Sequence, residues 1–141
     1  LIETLKKLGP LPPGPKLFTS DAVGMYTNID TAHGLDIIGK WLKKLKAEGK
    51  ITEQEYPTEL MENLLKLVME NNIIQFGDAY YKQLCGTAMG TSVACVYAYL
   101  YYGWKEIHDI LPEYDRKTEL FYHRRLIDNI FGIWVGREGE R

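Results

Sequence analysis

Two aspartates far apart in the sequence have the surroundings of metal-binding acids. Asp21 ends a strand-like segment that begins at Phe18 and is followed by the apolar Ala22 and Val23, and Asp128 with Asn129 interrupts an apolar stretch at 126–131. A carboxylate among apolar neighbours is costly to bury unless a charge neutralises it, and a divalent cation is one such charge. Acids at strand ends are what a metal-dependent phosphoryl-transfer site is built from. The pattern therefore predicts a site in which both aspartates hold a divalent cation.

Each acid also has a purely structural interpretation. Asp21 can simply end a strand. Asp128 with Asn129 can form the turn of a hairpin, because both residue types favour turns and the left-handed backbone conformation. A turn and a metal site are compatible, so the choice depends on whether the fold brings the two carboxylates to one place.

The strand that delivers Asp21 must end in a turn. Tyr26 follows Asp21 by five positions. Side chains on a strand alternate between faces, so a continuous strand would point these two side chains in opposite directions. A turn near Gly24 is therefore required if Tyr26 is to serve the same site.

Two amphipathic helices are predicted after this turn. The first is capped by Asp30 or Thr31 and ends near Gly49, and the second begins at Thr58 and stops at Asn71. Their apolar faces comprise Leu35, Ile38, Trp41 or Leu42, and Leu45 in the first helix, and Leu60, Met61, Leu64, Leu65, Val68 and Met69 in the second. Each helix is expected to bury this face against a core.

The second half of the chain predicts two hairpins separated by a helix. The first hairpin spans 73–84, a well-buried helix runs over 93–108, and the second hairpin spans 120–135 with its turn at Asp128-Asn129. The order of strand, two helices, hairpin, helix and hairpin predicts an α+β domain. Its antiparallel sheet is expected to carry helices mainly on one face.

The composition limits the classes of function. A chain of 141 residues, 45% of them hydrophobic, fits one globular domain. Its net charge of −2 lacks the excess of lysine and arginine with which a stand-alone nucleic-acid binder contacts phosphates. The lysines at 40–46 are expected to form a solvated helix face. Cys85 and Cys95 are too few and too far apart for a zinc site or a redox pair, and are predicted to be buried as small apolar residues.

The ends of the chain differ in character from its centre. Residues 1–17 are predicted to be a helical remnant with a proline- and glycine-rich linker, 18–136 a folded domain, and 137–141 a polar tail. The chain is therefore expected to be a piece of a longer protein. No segment is long and apolar enough for a membrane span, and the first residues lack a signal-peptide pattern. An intracellular location, with the nucleus as one candidate compartment and no membrane partner, is expected.

Three ordered segments resemble the motifs of a reverse transcriptase palm, in particular that of the Penelope-like retroelements. Asp21 with Tyr26-Thr27-Asn28-Ile29 is similar to motif A, the segment 83–91 (QLCGTAMGT) to motif B, and the segment 126–131 (LIDNIF) to motif C. Their order and the lengths between them also match. Three ordered motifs are more specific than any one of them. The resemblance covers 18–135 and implies a polymerase palm-like antiparallel sheet.

The resemblance implies an RNA-directed DNA polymerase, a nucleotidyltransferase whose partners are an RNA template, a DNA primer and deoxynucleoside triphosphates. Its cofactor would be Mg²⁺ or Mn²⁺, which activates the primer 3′-hydroxyl and stabilises the leaving pyrophosphate. By the same resemblance the catalytic positions are Asp21, Asp128 and Asn129, the metal ligands are Asp21, the Ala22 carbonyl and Asp128, and the substrate-binding positions are Ala22, Gly24, Met25, Tyr26, Gln83 and Gly86. Tyr26 would stack under the incoming sugar and exclude a 2′-hydroxyl. Gln83 and Gly86 would position the nucleotide and the template base.

The third motif departs from the family pattern at two positions. Leu126 replaces a tyrosine and Asn129 replaces the second aspartate. An amide brings no charge, so metal affinity and rate are expected to fall. Two hypotheses stay open. One is the palm of a larger polymerase, which acts only in that context and can self-associate through surfaces that would meet fingers and thumb. The other is a catalytically silent, retroelement-derived fragment that serves as a structural or binding module.

Overall fold

The fold is α+β, as predicted, and comprises two compact units. The computed structural model describes residues 2–114 and 119–136. The first unit combines Leu1–Val23 with Ile110–Arg141, and the second unit is Gly24–Asp109. The α-helices are α1 (Ile2–Lys6), α2 (Thr31–Ala47), α3 (Thr58–Glu70) and α4 (Ala94–Lys105). The strands are β1 (Lys16–Asp21), β2 (Ile73–Phe76), β3 (Ala79–Lys82), β4 (Leu120–Leu126) and β5 (Asn129–Trp134).

The first unit is built on a three-stranded antiparallel sheet in the order β1-β5-β4. The predicted Asp21 strand and second hairpin are thereby confirmed as β1 and as the β4–β5 pair. In the centre of the sheet, Gly132 lies opposite Phe18 on β1 and His123 on β4. A Cβ atom at Gly132 would overlap the Phe18 ring. The absence of a side chain here therefore lets the Phe18 ring cover the middle of the sheet.

The second unit is organised around α2, which packs against both α3 and α4. The predicted cap of α2 is confirmed, because the Asp30 side chain accepts a hydrogen bond of 2.7 Å from the His33 N–H. The buried face of α2 includes Ile37 and Ile38. The core of this unit also contains the fully buried side chains of Ile29, Met69 and Thr87.

The apolar face of α3 is mostly exposed, which corrects the prediction that it is buried. Met69 is 1% exposed, whereas Leu60 and Leu64 are each 53% exposed. The apolar stripe of α3 is wider than its contact with α2, so part of it lines an open groove between α2, α3 and α4. This apolar groove has a volume of about 430 Å³ and is lined by Ile38, Leu42, Met61, Leu64, Leu65, Val68, Ser92, Val93, Val96, Tyr97 and Leu100.

Helix α4 is buried on one face only, although the sequence predicts a well-buried helix. Tyr97 and Ala98 are buried, but Val96 is 61% exposed and Tyr99 50%. The helix passes directly into a π-helical turn, Glu106–Ile110. The extension of helical structure to His108 is confirmed, but its second face is exposed in the described structure.

Strands β2 and β3 form a separate two-stranded hairpin, as predicted for 73–84. Gly77 occupies the turn with a positive φ of 60°, a conformation that glycine adopts without steric cost. All eight strand residues are exposed. The single predicted sheet is therefore divided into a three-stranded and a two-stranded sheet.

Some predictions fall on residues that the structure does not describe. These are the predictions for the polar tail at 137–141. Within the described residues, none of the helices combines the length with the apolar character needed to span a bilayer.

Candidate functional site

The first unit places Asp21 beside the third motif. Asp21 is the last residue of β1, and its Cα partner on β5 is Asn129. Directly opposed residues of an antiparallel pair project from the same face of the sheet. Two motifs that lie more than half the chain apart therefore meet at one end of this sheet. We call Asp21, Ala22, Asp128 and Asn129 the acidic edge.

The turn that carries Asp128 is displaced by one residue from its predicted position. Leu126 on β4 pairs with Asn129 on β5, so the two turn residues are Ile127 and Asp128, and the prediction of a turn at Asp128-Asn129 is wrong. Asn129 pairs with β1 as well as β4, which fixes it inside the sheet. The left-handed position is taken by Ile127, with a φ of 57°. A β-branched residue is strained in this conformation.

The main chain ties Asp128 to the strand of Asp21. The Ala22 N–H donates a hydrogen bond of 2.9 Å to the Asp128 carbonyl oxygen. This bond continues the β1–β5 ladder one residue beyond the strands. It holds the Asp128 backbone at the end of β1 without using the Asp128 side chain.

Asn129 contacts the neighbouring acid directly. Its Nδ2 donates a hydrogen bond of 2.9 Å to Asp128 Oδ1. The amide therefore occupies one acceptor position on the Asp128 carboxylate. A carboxylate at the same position would repel Asp128 unless a cation lay between them.

The two aspartates of the acidic edge differ in solvent exposure. The Asp21 side chain is exposed and that of Asp128 is half-buried. The expectation that a buried carboxylate needs a cation therefore does not apply to Asp21. In the described part of the chain, no three His, Cys, Asp or Glu side chains converge as a metal site. Two carboxylates and a carbonyl oxygen are nevertheless hard oxygen donors of the kind that Mg²⁺ takes together with substrate phosphates.

The turn required before Tyr26 is present in the second unit. Gly24 has a φ of 62°, and its carbonyl oxygen accepts hydrogen bonds of 3.0 Å from the N–H groups of Thr27 and Asn28. Met25 is 3% exposed, so its side chain packs in the core. Any contact from Met25 to a substrate would have to come from its backbone. We call residues 24–30 the Tyr26 loop.

The second motif is hydrogen-bonded to the Tyr26 loop. The Thr87 N–H donates to the Tyr26 carbonyl oxygen, and the Gly86 N–H donates to the Ile29 carbonyl oxygen, each at 2.7 Å. A Cβ atom at Gly86 would lie 2.7 Å from the Thr27 Cα. The close approach of these backbones therefore requires glycine at position 86. We call residues 83–93 the Gly86 loop.

The tyrosine hydroxyl reaches the start of α4. Tyr26 Oη lies 3.5 Å from Cys95 Sγ, a contact between two residues of the second unit. Both cysteines have free, exposed thiols, so the prediction that they are buried is wrong. Cys95 is the second residue of α4, of which only one face is covered. Cys85 lies in a surface loop, where its thiol donates to the Ile29 carbonyl oxygen at 3.3 Å.

Gln83 has one satisfied and one unsatisfied amide atom. Its Nε2 donates a hydrogen bond of 2.8 Å to the Cys85 carbonyl oxygen. Its Oε1 is buried and has no hydrogen-bond partner within residues 2–114 and 119–136. An acceptor left without a donor is costly, so this atom is a candidate for contact with a bound group.

Sequence reasoning missed one residue of the first unit. Arg125 is 8% exposed, and its Nη1 donates a hydrogen bond of 2.8 Å to the Ile127 carbonyl oxygen. Side chains of a regular strand alternate between the two faces of the sheet, so position 125 would lie on the face opposite to that of the buried Leu120. The β4–β5 register shifts between Leu120 and Tyr122. One extra residue in a strand reverses the facing of all later residues. The sequence signal was the basic run His123-Arg124-Arg125 within a predicted strand, and the run does not show which of its members is buried.

No protein-family model, curated protein or solved structure matches this chain. Its function is therefore inferred from the residues and contacts of the acidic edge and of the two loops.

Proposed function

We propose that the chain is the palm portion of an RNA-directed DNA polymerase of the reverse transcriptase kind, with low activity as an isolated chain. Its partners would be an RNA template, a DNA primer and deoxynucleoside triphosphates. The observation that best supports this proposal is the β1–β5 register. It pairs Asp21 with Asn129 and hydrogen-bonds Ala22 to Asp128, so that motifs A and C share one sheet end.

In this proposal the acidic edge holds Mg²⁺ or Mn²⁺. The carboxylates of Asp21 and Asp128 and the Ala22 carbonyl would be the protein ligands. The bound cation would supply Lewis-acid stabilisation of charge on phosphoryl oxygens. The donor set fits, because all three ligands are hard oxygen atoms and substrate phosphates would complete the shell. Asn129 adds no charge, which is why the isolated chain is expected to be a poor catalyst.

The nucleotide-binding role belongs to the Tyr26 and Gly86 loops of the second unit. Tyr26 would stack against the incoming sugar and exclude a 2′-hydroxyl, and its backbone is held by Thr87. The buried, unsatisfied Oε1 of Gln83 supports a role for Gln83 in contacting the nucleotide or template base. The contribution of Gly86 would be its small size, which allows the two loops to approach closely.

A catalytically silent structural or binding module is the second candidate. It is favoured by the hydrogen bond from Asn129 to Asp128, which lets the acidic edge persist without a cation. The two candidates differ in whether Asp21 and Asp128 bind a metal ion.

The same proposal includes self-association of the chain and an intracellular location, with the nucleus as one candidate compartment. The exposed apolar side chains of α3 and the groove beside them support self-association, because large apolar patches mark interaction surfaces. In a complete polymerase, this surface would be available to other subdomains.

Asp21→Asn is expected to weaken Mn²⁺ binding about tenfold or more, measured in the presence of a deoxynucleoside triphosphate by the electron paramagnetic resonance of free Mn²⁺. The substitution keeps the size of the side chain but removes one of two charged ligands. Because Asp21 is exposed, the fold should be retained, and circular dichroism would verify this.

Asp78→Asn is the matched control for this experiment. Asp78 is exposed in the β2–β3 turn, and its replacement changes the net charge by the same amount. It should leave Mn²⁺ affinity within twofold of the unmodified chain. Equal Mn²⁺ affinity of the two variants would contradict a metal site at the acidic edge and favour the silent module.

Asn129→Asp is expected to tighten Mn²⁺ binding about tenfold, because it adds a second charge next to Asp128. Without Mn²⁺ the same variant should be less stable than the unmodified chain, since it exchanges the hydrogen bond to Asp128 for repulsion. Thermal unfolding with and without Mn²⁺ measures both effects. Unchanged affinity would mean that position 129 does not face the cation.

A further inference from the structure

Arg125 is a buried cation beside the acidic edge. It is 8% exposed, whereas its neighbour Arg124 on β4 is exposed. Arginine is almost never buried unless its guanidinium is hydrogen-bonded or paired. Its Nη1 donates a hydrogen bond of 2.8 Å to the Ile127 carbonyl oxygen.

This hydrogen bond acts on the peptide group that precedes Asp128. The carbonyl of Ile127 and the N–H of Asp128 belong to one planar unit, so holding the oxygen fixes the orientation of the whole unit. Ile127 has a φ of 57°, which a β-branched residue retains only where its surroundings enforce it. The hydrogen bond from Arg125 to the Ile127 carbonyl oxygen helps to hold this conformation.

The peptide group that follows Asp128 is held by a second hydrogen bond, which the loosening of the turn would weaken. The Ala22 N–H donates to the Asp128 carbonyl oxygen at 2.9 Å. Both peptide planes that flank Asp128 are therefore fixed, one by Arg125 and one by β1. The direction of the Asp128 Cα–Cβ bond follows from these two planes, and the hydrogen bond from Asn129 Nδ2 then restricts the side-chain torsions that place the carboxylate.

We propose that Arg125 is a positioning residue that orients the Asp128 carboxylate for the cation of the acidic edge. The cation part of this inference rests on the proposed function. The part that concerns the turn does not, because it can be measured without metal. Groups that orient a metal ligand typically change metal affinity 10- to 100-fold when they are removed.

The test compares Arg125→Met with Arg124→Met in the full chain. Both variants lose one arginine from adjacent positions of β4, but only the first loses the bond to Ile127. Without metal, hydrogen exchange of the Ala22 amide should be about tenfold faster in Arg125→Met than in Arg124→Met. With Mn²⁺ and a deoxynucleoside triphosphate, the Mn²⁺ dissociation constant of Arg125→Met should be about tenfold higher.

Arg125→Lys supplies a second variant that keeps a cation at the position. Its ammonium can donate to Ile127 but lacks the rigid guanidinium fork, so exchange and Mn²⁺ affinity should lie between the unmodified chain and Arg125→Met. If Arg125→Met does not fold, Arg125→Lys is compared with Arg124→Lys by the same two measurements. In that case Arg125→Lys alone should show faster Ala22 exchange and weaker Mn²⁺ binding.

Three outcomes separate this inference from the proposed function. Equal Ala22 exchange in the position-125 and position-124 variants overturns the positioning role. Suppose that Asp21→Asn weakens Mn²⁺ binding, so that the metal site exists. Faster Ala22 exchange in Arg125→Met with unchanged Mn²⁺ affinity then overturns the coupling of Arg125 to the cation. If Asp21→Asn binds Mn²⁺ as tightly as the unmodified chain, the proposed metal site fails and so does the cation part of this inference. The exchange measurement then still decides the role in the turn.

Discussion

Replacement of Gly86 by alanine is expected to lower the free energy of unfolding by about 3 kcal/mol. Gly86 has a φ of 78°, which costs an alanine about 1–2 kcal/mol. The added Cβ would also overlap the Tyr26 carbonyl oxygen and lie 2.7 Å from the Thr27 Cα. These are backbone atoms and cannot rotate away, so overpacking adds about 1–3 kcal/mol. The hydrogen bond from Gly86 to Ile29 would lengthen or break.

Gly77→Ala separates the two causes in this prediction. Gly77 also has a positive φ, of 60°, but nothing lies within 4 Å of the position that its Cβ would occupy. Gly77→Ala should therefore lower the free energy of unfolding by about 1–2 kcal/mol, from backbone conformation alone. Urea unfolding followed by circular dichroism measures both variants. Equal losses would contradict a close approach between the Gly86 and Tyr26 loops.

Gly86→Ala should also reduce the affinity of the chain for nucleotide. Because the Gly86 loop holds the Tyr26 backbone, Gly86→Ala should also weaken nucleotide binding at temperatures where the variant is still folded. Titration of a fluorescent deoxynucleoside triphosphate would measure this effect. Unchanged nucleotide affinity in a folded Gly86→Ala chain would argue against a nucleotide-binding role for these loops.

Gly34→Ala is expected to destabilise the second unit by about 1 kcal/mol, although alanine is the better helix former. A Cβ at Gly34 would overlap the Tyr97 hydroxyl and lie 2.6 Å from Tyr97 Cζ. Tyr97 is 2% exposed, and its burial raises its pKa to about 12, as expected for a hydroxyl in a dry environment. To relieve this overlap, either the Tyr97 ring shifts and loses its hydrogen bond to the Thr31 carbonyl oxygen, or α2 and α4 separate. Overpacking of about 1–3 kcal/mol then exceeds the helix-propensity gain of about 1 kcal/mol.

Gly39→Ala is the matched control on the same helix. A Cβ at Gly39 would lie 2.9 Å from Glu62 Oε1, the end of a flexible side chain that can move. The gain in helix propensity should therefore dominate, and the variant should be as stable as the unmodified chain or up to about 1 kcal/mol more stable. Thermal unfolding of both variants tests the contrast. A stabilising Gly34→Ala would show that α2 and α4 do not pack as closely as described.

Several features of the fold could be predicted because they depend on neighbouring residues. The cap at Asp30 follows from a short acceptor placed before a helical pattern, and the turn at Gly24 follows from the need to redirect the chain before Tyr26. The hairpin around Gly77 follows from turn residues between short apolar strands. In each case the determining contacts span only a few positions, so sequence spacing was sufficient.

Other features could not be predicted because they depend on how distant segments pack. The exposure of Leu64 depends on how much of α3 its neighbours cover, not on the amphipathic pattern of the helix itself. The exposure of Cys95 likewise depends on which face of α4 is covered. The turn position at Ile127 was set by the pairing of Asn129 with two strands at once. Local turn preference, which favours Asp128 and Asn129, was overridden by that register.

Residue type and the resemblance to ordered motifs single out Asp21, Asp128 and Tyr26 as candidates for chemistry. Which of these residues are neighbours follows from the fold. The β1–β5 register brings Asp21 and Asp128 to one sheet end, and a bulge in β4 turns Arg125 to the side from which it donates to the Ile127 carbonyl oxygen in the β4–β5 turn. Strand register and facing are long-range properties. A shift of one residue reverses every side chain, and no local pattern in β4 encodes that shift.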